Sequence, residues 1–88
     1  MDPFNGAKIE FPTSFDLKVI MKMDQPDETL QFILKKILEN LKIPHSHWSF
    51  KVKGVYISYS IYITLENHEI MDDLYRDLKE EPLVKFAI

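Results

Sequence analysis

Polar and apolar positions follow two alternating periods along most of the chain. Phe15, Leu17, Val19, Met21 and Met23 alternate with Asp16, Lys18, Ile20 and Lys22. A period of two predicts a half-buried strand. Leu30, Ile33, Leu34, Ile37, Leu38 and Leu41 follow at helical spacing, an apolar stripe about three turns long. The residues ahead of that stripe carry helix-start chemistry. Asp24 is a candidate cap, Pro26 suits the first turn, and Asp27 and Glu28 favour the positive end of the helix dipole. Pro44 ends the segment.

Trp48, Phe50 and Val52 alternate with Ser49, Lys51 and Lys53, a second strand, and Gly54 marks a turn. Residues 55–65 are β-branched and aromatic. Val55, Ile57, Tyr59, Ile61, Ile63 and Leu65 share one side; Tyr56, Ser58, Ser60, Tyr62 and Thr64 share the other. This longest, most apolar strand belongs in the centre of a sheet. Asn67 is placed to cap a helix with Ile70, Met71, Leu74, Tyr75 and Leu78 inward, and Pro82 stops it. Val84, Phe86 and Ile88 alternate with Leu83, Lys85 and Ala87 as the last strand, the first set toward the core.

The element order is β-α-β-β-α-β. Two strand–helix–strand units with right-handed crossovers close most simply as a ferredoxin-like α+β sandwich. Such a sandwich has a four-stranded antiparallel sheet with both helices on one face, the first and third strands central. Residues 1–14 show no sustained period and are broken by Pro3, Gly6 and Pro12, so they read as an irregular arm ahead of a single domain at 15–88. Phe4, Ile9 and Phe11 are its apolar anchors, and Phe4 and Phe11 could lie across Tyr56 and Tyr62.

Composition adds limits. A chain of 88 residues allows one small domain and little room for an enclosed cofactor pocket. Without Cys, it has no disulfide framework, cysteine-bound zinc or iron–sulfur cluster. Met1-Asp2-Pro3-Phe4 lacks the basic-then-apolar pattern of a signal peptide, and no stretch approaches the ~20 apolar residues of a membrane span. A cytoplasmic protein is expected.

Charge changes the picture more. The net value of −3 hides a polarised surface. With the apolar set of each strand turned to the helices, the open face collects Lys18, Lys22, Lys51, Lys53 and Lys85, with Tyr56, Ser58, Ser60 and Tyr62, against Asp16 alone. The second helix carries Glu69, Asp72, Asp73, Asp77, Glu80 and Glu81 against Arg76 and Lys79. Tyrosines among lysines on an open sheet suit single-stranded nucleic acid, because rings stack on bases and lysines neutralise phosphates. A polar solvated sheet face accounts for the same residues.

Catalytic sets are missing from the sequence pattern. The only glycines are Gly6 and Gly54, so there is no phosphate-cradling loop, and the only arginine is Arg76. Ser58 and Ser60 have no evident base. His45-Ser46-His47 reads as solvated loop histidines without a carboxylate at ligand spacing, and His68 as a structural residue at a helix start. The adjacent Asp72-Asp73 and Glu80-Glu81 pairs read as a solvated acidic face.

Phe11-Pro12-Thr13-Ser14-Phe15, Lys18-Val19, the strand Lys53-Gly54-Val55-Tyr56-Ile57-Ser58-Tyr59-Ser60-Ile61, and Leu74-Tyr75 with Leu78 resemble the YbeD-like family of small bacterial proteins of unknown function. The resemblance covers residues 11–88. It implies the ferredoxin-like fold and kinship in shape with ACT regulatory domains, which bind small effectors. It also marks a departure: ACT domains tend to place Gly at the end of the first strand, where Met21-Lys22-Met23-Asp24 stands here.

The expectation is a non-catalytic binding or regulatory module without a cofactor or metal. It would act through a protein partner or small effector, as a monomer or weak homodimer, with the last strand, Leu83 to Ile88, guarded only by Lys85, as one docking edge. The alternative is single-stranded nucleic-acid binding on the Lys/Tyr face.

Overall fold

In the computed structural model, residues 9–88 are described; the arm residues Pro3, Phe4 and Gly6 lie outside them. The elements are β1 (Thr13–Lys22), α1 (Asp27–Asn40), β2 (His45–Lys53), β3 (Tyr56–Leu65), α2 (His68–Glu80) and β4 (Val84–Ala87). The sheet runs β2-β3-β1-β4 and every pairing is antiparallel. This is the predicted ferredoxin-like sandwich, with β1 and β3 central.

Alternation makes the core. Leu17, Val19 and Met21 of β1 face Ile57, Tyr59, Ile61, Ile63 and Leu65 of β3, all essentially without solvent contact. Leu30, Leu34 and Leu38 of α1 and Met71, Leu74 and Leu78 of α2 close over them. Met23 and Val55, expected on the core side, lie past the strand ends and are exposed. β1 starts at Thr13, opposite Leu65, so Thr13 and Ser14 pair in the sheet. Ile9 and Phe11 pack against the core, Phe11 edge-on to His68 at 6.1 Å. Phe11 therefore does not lie across Tyr56 and Tyr62.

The two helices begin differently. Asn67 caps α2 as predicted, its Oδ1 accepting from the Ile70 N–H at 2.9 Å. Asp24 does not cap α1; the cap position is Pro26, whose carbonyl accepts from Thr29 and Leu30, while Asp24 sits 3.8 Å from Lys22. The start of α1 is instead pinned to the sheet. The Tyr59 hydroxyl donates to the Asp27 carboxylate, whose other oxygen accepts from Gln31 Nε2 at 2.9 Å.

At its far end α1 closes with a left-handed residue. Lys42 has φ 56°. Its N–H donates to the Glu39 carbonyl at 3.0 Å, and the Ile43 N–H donates to the Leu38 carbonyl at 2.9 Å. Buried Ile43 and Leu38 supply the apolar contact of this motif. The motif favours Gly at the position Lys42 holds, because a Cβ is penalised there.

Lys42→Gly should therefore raise stability by about 0.5–1 kcal/mol. The check is a higher urea midpoint at unchanged slope. A second prediction concerns alkali. Burial, and then the Asp27 carboxylate, hold the Tyr59 phenol well above its ordinary range, and burial pushes Tyr75 up to about 12. The folded phenols keep protons that the unfolded chain loses near pH ~10. Stability is thus full below that pH and falls as pH rises above it. Tyr59→Phe should flatten the fall and cost about 1–2 kcal/mol at neutral pH, by denaturant titration across pH.

Candidate functional site

The open face is built from cross-strand rows. Lys53 pairs with Tyr56, and Tyr56 with Lys22, so one exposed tyrosine stands between two exposed lysines. The next row runs Lys51, Ser58, Ile20, Phe86. The third runs Ser49, Ser60, Lys18, with Ile88 exchanging both backbone hydrogen bonds with Lys18. The fourth is Ser46, Tyr62, Asp16. The register thus brings Lys18, Lys22, Lys51, Lys53, Tyr56, Ser58, Ser60 and Tyr62 onto one face. Ser58 and Ser60 lie between the lysines and are half-buried. Beside the β2–β3 hairpin the face dips into an open concavity lined in part by Ile20, Lys51, Tyr56 and Ser58.

Lys85 does not join them. The register shifts between Ile20 and Met21: Ile20 pairs with Phe86, but Met21 pairs with Val84. Lys85 is the extra residue of this bulge and lines a groove between α2 and β4. The shift also reverses the expected sides after it. Ala87 is buried in the core, while Phe86 is 45% exposed opposite Ile20. The open face gains a third exposed aromatic and loses a lysine.

A second bulge shapes β2. The register breaks between Ser46 and Ser49, at His47 with φ 53°. The expected histidine loop is therefore strand, and the bulge separates its two imidazoles. His45, opposite Ile63, is half-buried; its Nδ1 accepts from Trp48 Nε1 at 3.0 Å, which places its proton on Nε2, 3.8 Å from Glu39. His47 meets the Tyr62 ring edge-on at 6.2 Å and shares a 2.8 Å hydrogen bond with Ser46 Oγ. Among the described residues no three His, Asp or Glu side chains gather to hold a metal. No described helix is long and apolar enough to cross a membrane.

The inner side of β2 departs most from expectation. Phe50 pairs with Tyr59 and Val52 with Ile57, so both share the helix side of the sheet. Yet Phe50 is 56% and Val52 54% exposed. Trp48 is half-buried, with its ring against Tyr59 at 6.1 Å and Lys35 Nζ 5.4 Å from its centroid. Beyond Trp48 the strand is bare. Phe32, on the outer side of α1, is 63% exposed. Alternation placed Phe50 and Val52 on the correct side but could not report that nothing covers them. The position of β2 as the outermost strand was the available signal.

Comparison with known proteins gives kinship in sequence and in shape. The model of the family described as "Protein of unknown function (DUF493)" matches residues 6–88. A UPF0250 protein of Paraburkholderia phymatum is 28% identical over 90 residues, covering all of both chains. These bear out the YbeD-like resemblance. The solution structure of HP0495 from Helicobacter pylori superimposes with a TM-score of 0.70 at 18% identity, covering 100% of this chain and 96% of that one. The ACT domain of GTP pyrophosphokinase from Chlorobium tepidum superimposes with a TM-score of 0.67 at 12% identity, covering 88% of this chain and 96% of that one.

Proposed function

The chain belongs to the DUF493 family, and on that premise we propose that it is a non-catalytic binding module that acts by docking a protein partner on β2. The observation that carries this reading is the bare inner flank of the outer strand. Phe50 and Val52 project from β2 on the helix side with more than half their surface in water. β2 is nine residues long and has a neighbour on one side only. An unpaired strand edge beside unburied apolar side chains is the surface to which an extended segment adds, with backbone bonds giving affinity and side-chain contacts giving register. β4, the edge expected to dock a partner, has only four residues.

The ACT-like shape supports a regulatory role for such docking. The proposal places no ACT-type effector site at the end of β1. At the end of β1, where an ACT domain tends to have Gly, the Met23 N–H is already bonded to the Val55 carbonyl at 2.8 Å.

A photo-crosslinking residue at position 52 tests the docking reading in the organism's own cells. The expected result is one discrete adduct, absent when the crosslinker stands at position 80 and lost with Phe50→Asp. An adduct with the chain itself would make the partner a second copy. Identical adducts from positions 52 and 80 would overturn the reading.

One observation favours a second reading, single-stranded nucleic acid on the open face. It is the row Lys53–Tyr56–Lys22, a stacking ring between two phosphate-neutralising charges. A mixed single-stranded oligonucleotide should then shift the amides of Lys18, Lys22, Lys51, Lys53, Tyr56 and Tyr62. Lys53→Glu with Tyr56→Ala should weaken binding by about tenfold or more. Silence at moderate salt would remove this reading.

A further inference from the structure

The regular part of β2 is short and bounded. The bulge at His47 precedes Ser49, and the turn Gly54-Val55 follows Lys53, so Ser49 to Lys53 run in register beside β3. The two sides of this stretch differ. Phe50 and Val52 stand exposed on the helix side. Ser49, Lys51 and Lys53 stand exposed on the open side. Lys53 and Tyr56 close the two-residue turn, so the backbone groups of Lys53 and Lys51 point at β3. Alternation then aims the N–H and C=O of Phe50 and Val52 away from the sheet. The residues with bare apolar side chains are also those with outward backbone groups.

Charge on the open side of this edge has one sign. Lys51 and Lys53 have no ion pair among the described residues. No acidic residue occurs in the cross-strand rows that hold them. Asp16 belongs to the fourth row, opposite Tyr62, and Asp24 follows β1 at 3.8 Å from Lys22. The carboxylates of α1, Asp27, Glu28 and Glu39, belong to the helix layer on the other side of the sheet. There Asp27 takes Tyr59 and Gln31, Glu39 lies 3.8 Å from His45, and Lys35 stands over Trp48. The edge therefore calls for negative charge on its open side and for apolar surface on its helix side.

We propose that the partner segment docked on β2 is an extended strand in which acidic and apolar residues alternate, its carboxylates opposite Lys51 and Lys53 and its apolar side chains opposite Phe50 and Val52. This rests on the docking reading above and names the chemistry of its partner. Residues directly opposite one another in paired strands share a side of the sheet, so the period of the edge is copied into the strand that joins it. Opposite charges facing across such a pair stabilise it, and like charges destabilise it. A polyanion without apolar side chains would leave Phe50 and Val52 in water. A wholly apolar strand would leave both lysines without a counter-charge. A helix spends its backbone bonds within itself and could not meet the outward groups of Phe50 and Val52.

A short end-blocked peptide alternating Glu and Val is a suitable probe. The comparisons are a peptide alternating Lys and Val, and one of the same composition as the probe with all Glu before all Val. Each is titrated to about 1 mM and followed by amide shifts and hydrogen exchange. The Glu/Val peptide should shift residues 49–53 and slow exchange at the Phe50 and Val52 amides. Both comparison peptides should bind at least about tenfold more weakly. Lys51→Glu with Lys53→Glu should weaken the Glu/Val peptide about tenfold or more and tighten the Lys/Val peptide by a similar factor, a gain that an unfolded variant could not give. Lys79→Glu on α2 should change neither. Equal binding of the Lys/Val peptide would overturn the acidic assignment and leave docking on β2 standing. Equal binding of the block peptide would overturn the strand geometry. No shift of residues 49–53 at about 1 mM, or self-association through them in place of peptide binding, would overturn the proposal, while the crosslink from position 52 decides the docking reading separately.

Discussion

The hydrogen bond from Tyr59 to Asp27 joins the centre of the sheet to the start of a helix that no side chain caps. Tyr59 belongs to β3, whose inward residues are all buried, so the anchor point is fixed by the core. The second oxygen of Asp27 reaches Gln31 one turn along, which ties the bond to the helix itself. α1 is thereby held over β3. β2 lies one strand farther out, about 4.8 Å beyond β3. Trp48 and Lys35 bridge part of that gap, and Phe50 and Val52 are left uncovered. The bare flank is a consequence of where the helix is pinned.

Two bulges decide what the remaining surface offers. A single extra residue exchanges the two sides of a strand from that point on. In β2 it turns His45 inward to Trp48 and lets His47 reach Tyr62 on the open face. In β4 it removes Lys85 from the open face and brings Phe86 to it. One rule of local geometry thus shapes both the Lys/Tyr rows and the place of Lys85 in the α2–β4 groove.

The fold was legible because its centre obeys simple periods. β1 and β3 alternate without interruption over ten residues each, and the α1 and α2 stripes meet them. The Asn67 cap and the helix stops before Pro44 and Pro82 were legible for the same local reasons. The edges were harder to read. Neither bulge carries a Gly: His47 adopts the left-handed conformation itself, and Lys85 interrupts an otherwise regular alternation. Eight of the nine candidate face residues share the open sheet side, and Lys85 does not, for that reason. Exposure at Phe50 and Val52 depends on how two helices sit over four strands, which no strand records in its own pattern. Phe32 stands outside the apolar stripe of α1, and that misplacement was its only visible mark.

The central claim is that β2 is an open edge, available to another chain. Amide hydrogen exchange along residues 45–53 tests it most directly. If the edge is open, protection should alternate: amides bonded to β3 exchange slowly, and those facing outward exchange close to the rate of an unfolded chain. Uniformly slow exchange along β2 would contradict the account, because the edge would then already be covered.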